Sequence, residues 1–215
     1  MIAFPNCKIN LGLRITEKRP DGFHNIESVF YPVPWKEIVE IVPSENQSQD
    51  AEFKSSGIRV YGSKDSNLCV KAYRILAADF PLQPVKIHLH KVLPIGAGLG
   101  GGSADAAFTL EVLNSIFNLG LDDTRLENYA AKLGSDCPFF IRNRPVFASG
   151  KGEIFENINV KLKGMHLVII KPRIHVNTAE AYSWIRPLKR EVSLREQIKL
   201  PLKDWKEFID NDFEK

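Results

Sequence analysis

The sequence has few of the residues that mark several large classes of protein. It has three cysteines in 215 residues, Cys7, Cys69 and Cys137, which are far apart, and no CxxC pair occurs. This pattern indicates neither a structural zinc site nor a disulfide framework, and it favours a reducing cytoplasm. The longest apolar runs are only a few residues, such as 167–170, whereas a membrane-spanning helix needs about 20. No basic stretch followed by an apolar segment opens the chain, so we predict no secretory signal.

The chain also lacks a large excess of either charge. It carries 29 Lys and Arg against 26 Asp and Glu, for a net charge of +3. Because nucleic-acid-binding proteins concentrate basic residues on one surface, we expect no nucleic-acid partner, and the short apolar runs predict no membrane partner. The five histidines form no metal-ligand pattern, so we predict no metal site. The oligomeric state stays open.

Hydrophobic periodicity predicts a mixture of strands and helices. Strands are predicted over 7–15, 26–33, 37–42, 85–92, 146–149 and 165–171. Helices are predicted over 66–80, from Ser103 to Gly120, and from Asp122 or Asp123 to Gly134, with a turn at 19–22, a loop over 43–57 and a weak helical pattern around Trp205. Because the strands and helices do not alternate regularly, the predicted class is α+β.

A glycine-rich loop between a predicted strand and a predicted helix is the strongest chemical signal. Five of the seven residues from Gly96 to Gly102 are glycine, which lets backbone N–H groups approach an anion closely. The N-terminus of the following helix, where Ser103 is the predicted N-cap, adds free donors and a partial positive charge. Lys91 is a further candidate contact. We predict a phosphate-binding loop rather than a flexible surface loop.

Two common phosphate motifs fit this loop poorly. It lacks the Lys-Ser/Thr ending of a Walker A loop. The dinucleotide pattern G-x-G-x-x-G does occur at Gly96, Gly98 and Gly101. However, the acidic residues about 20 positions later, at 122–123, are predicted to begin a helix instead of ending a strand. An NAD-dependent oxidoreductase is therefore a less favoured alternative.

Four segments, in this order and spacing, resemble the GHMP kinases, a family that includes galactokinase and the homoserine, mevalonate and phosphomevalonate kinases. They are Lys8-Ile-Asn-Leu, Arg19-Pro-Asp-Gly-Phe-His, the glycine loop 94–103, and Leu133-Gly-Ser-Asp-Cys-Pro-Phe-Phe. The second segment is similar to one branch of the family. That branch uses ATP with Mg²⁺ to phosphorylate the 2-hydroxyl of a cytidine diphosphate-linked methylerythritol in the non-mevalonate (methylerythritol phosphate) pathway of isoprenoid synthesis. The resemblance extends from about Lys8 to Tyr182.

The resemblance implies a role for each matched residue. Asp136 would be the catalytic carboxylate that takes or orients the hydroxyl proton, and Lys8 would be the catalytic lysine. The substrate would be held by Asn10, Phe23, His24 and Tyr182, with the cytosine ring at the last three. The ATP-binding residues would be Asn67, Leu68, Pro94, Gly96, Gly98, Leu99, Gly100, Gly101, Gly102, Ser103 and Ala104. From position alone, Asp136 could instead be only a helix N-cap, and Lys8 a solvated strand lysine.

The resemblance also implies a two-lobed fold. Residues 1–160 would form the N-terminal, ATP-binding lobe, like domain 2 of ribosomal protein S5, and 161–215 would form part of a C-terminal α+β lobe, with the alcohol substrate between them. The family has a third, Gly/Ser-rich motif near its C-terminus, and residues 183–215 contain no glycine. We therefore expect an incomplete second lobe. A kinase-like protein that binds nucleotide without turnover stays a second alternative.

Overall fold

The computed structural model describes residues 1–45, 50–172, 174, 176 and 178–214. Residues 46–49 of the predicted loop, His175 and Lys215 lie outside the described residues. The strands are β1 (Ile2–Ala3), β2 (Asn6–Lys18), β3 (His24–Lys36), β4 (Ile38–Pro43), β5 (Glu52–Gly57), β6 (Val85–Lys91), β7 (Val146–Ser149) and β8 (Ile154–Asn157). The α-helices are α1 (Leu68–Ala77), α2 (Gly101–Ile116), α3 (Asp123–Ala131), α4 (Cys137–Arg142), α5 (Thr178–Trp184), α6 (Leu194–Gln197) and α7 (Trp205–Phe208). The predicted α+β class is confirmed.

The chain divides into two compact units, and two strands pass from one to the other. Unit 1 comprises Met1–Lys8 and Pro32–Arg144, and unit 2 comprises Ile9–Tyr31 and Pro145–Lys215. The boundaries of these units differ from those of the predicted lobes, 1–160 and 161–215. The two lobes stay a prediction about the family fold.

Unit 1 contains a four-stranded sheet in the order β1-β4-β6-β5. Strand β5 runs parallel to β6, and the other pairs are antiparallel. Buried and exposed residues alternate strictly along β6, as its sequence VKIHLHK predicts. Helix α2 packs against α1, α3 and α4 and also contacts β4, so the helix that follows the glycine loop lies at the centre of this unit.

Unit 2 is built on a sheet in the order β2-β3-β7-β8, whose β3–β7 and β7–β8 pairs are antiparallel. One of its apolar clusters joins the sheet to the C-terminal segment, and its buried members are Val29, Phe147, Val160, Leu194 and Ile198. The weak helical pattern predicted near Trp205 corresponds to α7 and neighbouring short helices.

One loop prediction and one strand prediction were wrong for the same physical reason. Residues 52–57 of the predicted loop form β5, because pairing with β6 supplies a partner although the sequence EFKSSG has little apolar alternation. Residues 165–171 form no strand, because none of the described residues pairs with them, and Val168 and Ile170 are more than four-fifths exposed. Strand β8 was not predicted at all. A strand needs a partner elsewhere in the chain, which local periodicity does not report.

Candidate functional site

The glycine loop crosses from the end of β6 to the start of α2 with little room for side chains. Gly96, Gly98 and Gly100 have φ values of +68°, +71° and +69°, a region that L-residues rarely adopt. A Cβ on Gly100 would lie 2.9 Å from Phe140 Cζ and 3.2 Å from Lys8 Cγ. The loop is also fixed to β2, because the Lys8 N–H donates to the Leu99 carbonyl at 2.9 Å. Glycine at position 100 is therefore required by the close approach of Lys8 and Phe140.

The N-cap of helix α2 lies three residues earlier than predicted. Its N-cap is Gly100, which provides no side-chain hydrogen bond, and Ser103 is the third residue of the helix. The prediction of Ser103 as the N-cap was wrong, because Gly100 adopts the left-handed conformation that lets the helix start directly after the loop. The first N–H groups of a helix have no acceptor within it. Those of α2 have no side-chain cap and can bind an anion.

A buried group of three charged residues lies beneath the loop, and we call it the loop cluster: Glu37, Lys91 and Asp105. Lys91 Nζ is 2.5 Å from Glu37 Oε1 and 2.8 Å from Asp105 Oδ2. Glu37 Oε2 accepts the N–H groups of Val92 and Leu93 at 2.9 and 3.0 Å. The cluster thus ties the end of β6 to the first turns of α2. Lys91, suggested above as a phosphate contact, is engaged by these two carboxylates.

Burial governs the ionisation of this cluster. All three residues are at most 6% exposed. Burial raises the pKa of Asp105 to about 7, with the nearby Glu37 charge adding to the effect and Lys91 opposing it. For Lys91, burial lowers the pKa, but attraction to Asp105 and Glu37 outweighs it and the pKa is raised. Among the described residues, Asp105 Oδ1 is buried without a hydrogen-bond partner, which agrees with two carboxylates sharing one ammonium.

An open cavity of about 600 Å³ runs along the glycine loop within unit 1. Ten of the eleven residues predicted to bind ATP line it: Asn67, Leu68, Pro94, Gly96, Gly98, Leu99, Gly100, Gly101, Gly102 and Ser103. The eleventh, Ala104, is fully buried in α2. Asn67 has a second role as the N-cap of α1, because its side chain accepts the Cys69 N–H at 2.9 Å. The structure therefore brings the predicted nucleotide segments around one cavity.

The two predicted catalytic residues meet beside the loop. Lys8 Nζ lies 3.4 Å from Asp136 Oδ2, and the lysine side chain is 7% exposed against 31% for the aspartate. Lys8 is therefore not a solvated strand lysine. Asp136 does occupy the N-cap position of α4, but its carboxylate makes no capping hydrogen bond. The carboxylate thus remains partly accessible next to an ammonium group.

The neighbouring Cys137 is not a candidate nucleophile. Its side chain is buried, and burial raises the pKa of the thiol to about 11, although a hydrogen bond with Ser103 opposes the shift. A thiol with so high a pKa is almost entirely protonated at neutral pH.

The residues predicted to bind the substrate lie in unit 2. Phe23 follows the predicted turn and is 58% exposed, with Lys151 Nζ 4.8 Å from the centre of its ring. The turn is held by Asp21, which accepts the Phe23 N–H at 3.1 Å and also pairs with Arg19. Partial desolvation raises the pKa of Asp21, but these two contacts outweigh it and the pKa is lowered. An exposed aromatic ring on a turn that is held by hydrogen bonds can stack on a flat ligand.

The other three predicted substrate-binding residues, Asn10, His24 and Tyr182, each have a defined contact in unit 2. Asn10 Nδ2 donates to Ser28 Oγ at 3.1 Å, and Ser28 Oγ donates to the Gly12 carbonyl at 2.7 Å. The rings of His24 and Tyr182 are stacked, with centres 5.2 Å apart and planes 26° apart. The structure thus brings His24 and Tyr182 together although 158 positions separate them in the chain.

Sequence reasoning missed several residues at these sites. Glu37 and Asp105 gave no signal, because a buried carboxylate is not distinguishable from a surface one by local pattern. Lys151 stands between two glycines, Gly150 and Gly152, and that spacing could have indicated a turn that projects a charged side chain. Phe213, whose ring contacts Tyr182, lies in a charged segment with little periodicity.

Comparison with known proteins agrees with this geometry. Residues 67–144 match the profile of the GHMP kinases N-terminal domain. A homoserine kinase from Cytophaga hutchinsonii shares the fold at 13% identity with a TM-score of 0.55, covering 92% of this chain and 62% of that one. The matched domain, the α+β fold and the glycine loop define a GHMP kinase, a class of small-molecule phosphotransferases that use ATP.

Closer relatives define the branch. The 4-diphosphocytidyl-2-C-methyl-D-erythritol kinase of Bacteroides fragilis is 53% identical over 215 residues, which cover all of this chain and 78% of the relative. That of Cytophaga hutchinsonii is 48% identical over 216 residues, with the same coverage. A crystal structure of 4-(cytidine 5'-diphospho)-2C-methyl-D-erythritol kinase matches at 31% identity with a TM-score of 0.68, over 87% of this chain and 65% of that one. The chain belongs to the 4-diphosphocytidyl-2-C-methyl-D-erythritol kinase family.

These comparisons favour a kinase over the NAD-dependent oxidoreductase, since the relatives named above are kinases. The chain spans about four-fifths of the curated relatives and about two-thirds of the solved kinase. Among the described residues, no helix combines the length and the apolar character that crossing a membrane requires.

Proposed function

We propose that this protein transfers the γ-phosphoryl group of ATP to the 2-hydroxyl of 4-diphosphocytidyl-2-C-methyl-D-erythritol. The bond from the substrate oxygen to phosphorus forms, the bond from phosphorus to the β–γ bridging oxygen breaks, and ADP leaves. The observation that carries this proposal is the Lys8–Asp136 pair, 3.4 Å apart. Lys8 lies on β2, which is hydrogen-bonded to the glycine loop, and Asp136 lies at the start of α4. The family assignment supplies the substrate.

Each member of the pair has a role that its surroundings support. The Asp136 carboxylate is partly exposed and is not used in helix capping, so it can accept the hydroxyl proton or orient the hydroxyl for attack. The Lys8 ammonium is nearly buried, which strengthens its attraction for negative charge on the transferred phosphoryl group. Phosphoryl transfer depends mainly on positioning and charge stabilisation, so two such groups suffice.

The nucleotide would lie in the cavity along the glycine loop. The N–H groups of the loop and of the first turn of α2 would bind its phosphates, with Asn67 and Leu68 bordering the adenine. Among the described residues, no three His, Cys, Asp or Glu side chains form a group that could hold a metal ion. In nucleotide sites Mg²⁺ usually keeps several waters and is bound by substrate phosphates with one or two carboxylates. Mg²⁺ would enter with ATP and neutralise part of the phosphate charge.

Recognition of the cytidine group is assigned to unit 2. Phe23, His24 and Tyr182 offer flat rings that can stack on the base, and His24 can also form a hydrogen bond with its edge. Asn10 offers an amide to the polar part of the substrate.

We also propose a cytoplasmic location, supported by three free and buried cysteines, Cys7, Cys69 and Cys137.

Release of ADP tests this function. The natural protein should turn over the cytidine substrate and leave galactose, homoserine and mevalonate unchanged. Asp136→Asn keeps the shape of the side chain but removes its charge, and should lower kcat by about 10²- to 10⁴-fold. Asp123→Asn, at the exposed start of α3, is the matched control and should keep the full rate. An unchanged kcat for Asp136→Asn would contradict the catalytic assignment, and nucleotide binding without any turnover would favour the non-catalytic alternative.

A further inference from the structure

The ring of Tyr182 has a second aromatic neighbour that the family resemblance did not include. Phe213 lies with its ring centre 5.1 Å from that of Tyr182, and the two planes are at 84°. Edge-to-face pairs at this separation are favourable, because the positive edge of one ring meets the negative face of the other. Tyr182 is therefore in contact with His24 and with Phe213, which lies in the C-terminal segment.

The residues around Phe213 are fastened to strand β2. The Leu13 N–H donates to the Asp210 carbonyl at 3.0 Å, and the Ile15 N–H donates to Asp212 Oδ2 at 2.8 Å. The Phe213 N–H itself donates to Asn211 Oδ1 at 3.0 Å. The backbone just before Phe213 is therefore hydrogen-bonded along β2, and these bonds fix the position from which the Phe213 ring extends.

Four charged residues reinforce this attachment, and we call them the tail cluster: Arg14, Arg190, Asp210 and Asp212. Arg14 is 3% exposed, and its Nε lies 2.5 Å from Asp210 Oδ1. Arg190 Nη2 bridges Asp210 Oδ2 at 3.0 Å and Asp212 Oδ1 at 2.8 Å. Two guanidinium groups and two carboxylates thus hold the segment before Phe213 in one position.

Tyr182 depends on tertiary packing because its own helix is short. Helix α5 has seven residues, which is too short to be stable by itself. Tyr182 and Ile185 pack against Leu13, Ile15 and Ile26 of β2 and β3. The contact with Phe213 adds an aromatic partner from a segment that is itself anchored to β2.

We infer that Phe213 is a positioning residue for recognition of the cytosine base, acting by fixing the ring of Tyr182 against His24. This inference rests on the proposed function, because it deepens the assignment of Tyr182 to the base-binding site. Loss of the Phe213 ring should weaken binding of the cytidine substrate and leave ATP binding and the chemical step nearly unchanged. The expected factor is about fivefold, which is what one aromatic pair of ordinary strength contributes.

Steady-state kinetics of the natural protein and three variants test the inference. Phe213→Ala and Phe213→Leu should each raise KM for the cytidine substrate about fivefold, with kcat and KM for ATP changed less than about twofold. Phe213→Tyr keeps the ring and should restore the KM. Phe208→Ala removes an exposed ring from the same segment and should leave all three constants unchanged. Phe213→Leu keeps the apolar volume, so it separates loss of the ring from loss of packing.

Calorimetric binding of cytidine diphosphate alone distinguishes this inference from the proposed function. Weaker binding in Phe213→Ala and Phe213→Leu, with recovery in Phe213→Tyr, supports the positioning role even if the natural protein shows no turnover, a result that would overturn the proposed function. Unchanged affinity and unchanged KM in Phe213→Leu would overturn the inference while turnover by the natural protein still supported the proposed function. An equal rise in KM for ATP would also overturn it, because it would indicate a general structural defect.

Discussion

The loop cluster in unit 1 and the tail cluster in unit 2 use buried charge in different ways. The loop cluster has two carboxylates and one ammonium, all nearly inaccessible to water. The tail cluster has two carboxylates and two guanidinium groups; Arg14 and Asp212 are buried, but Asp210 and Arg190 keep 33% and 20% of their side-chain surface exposed. The charges of the loop cluster do not cancel and are shielded from water, whereas the charges of the tail cluster cancel and are partly exposed to water.

This difference indicates what each cluster can contribute. Removing one partner from a dry cluster leaves an uncompensated charge in a medium of low dielectric constant, which is costly. Removing one partner from a hydrated cluster lets water replace it. We therefore expect the loop cluster to determine global stability and its pH dependence, and the tail cluster to order one segment locally.

The largest expected effect is that of Lys91→Met, which keeps most of the apolar stem but removes the ammonium. Glu37 and Asp105 would then face each other without a counter-charge, and the free energy of unfolding should fall by about 3–5 kcal/mol. Urea denaturation measures this change. Lys71→Met, on the exposed face of α1, should cost less than about 0.5 kcal/mol. A loss below about 1 kcal/mol for Lys91→Met would show that the cluster is more hydrated than its burial indicates.

A second effect, which depends on pH, is expected from the ionisation of Asp105. Its pKa is raised to about 7 in the folded protein, above about 3.9 in the unfolded chain. The folded state therefore binds the proton more tightly, and this stabilisation is complete below about pH 4 and is lost as the pH rises through about 7. As the pH rises through this range, the free energy of unfolding of Asp105→Asn should increase relative to that of the natural protein by up to about 1.4 kcal/mol per pH unit.

The comparison with Asp105→Asn isolates this group from other titrating residues. Burial also raises the pKa of Glu111 to about 7, but Glu111 is present in both proteins and its contribution cancels. Glu37 and Lys91 are the charged neighbours that shift the pKa of Asp105, and the buried Cys69, whose pKa Asp105 helps to raise, lies close to them. Denaturation at intervals from pH 5 to 8.5 should give a difference that rises and then levels off above about pH 8. A difference that is flat across the range would contradict the raised pKa.

The features that the sequence predicted correctly are local ones. The existence of strand β2, the alternation along β6, and the glycine loop with the helix after it depend on neighbours a few positions apart. The burial of Lys8 and Arg14 on the polar face of β2 was not predicted. Lys8 and Asp136 were found through the motif resemblance, and their contact at 3.4 Å brings together the two residues that the resemblance had named.

The features that the sequence missed depend on distant partners. Glu37 and Lys91 are 54 positions apart, and nothing near either residue indicates that both are buried. Strand β5 exists because β6 lies beside it, whereas the more apolar segment 165–171 has no pairing partner among the described residues. Phe213 could not be connected with Tyr182, because the bonds that place it run from the charged C-terminal segment back to Leu13 and Ile15.

The smallest expected effect is that of Arg190→Met in the tail cluster. Asp210 keeps its bond to Arg14, and Asp212 keeps the Ile15 N–H, so the loss should be about 1 kcal/mol and confined to unit 2. Hydrogen exchange measures it directly: the Leu13 and Ile15 amides should exchange about fivefold faster, while the amides of α2 should not change. Arg195→Met, which breaks a half-exposed pair with Glu156, should change neither set. If the α2 amides lost protection together with those of β2, the tail cluster would contribute to global stability as the loop cluster does, and the distinction between the two would fail.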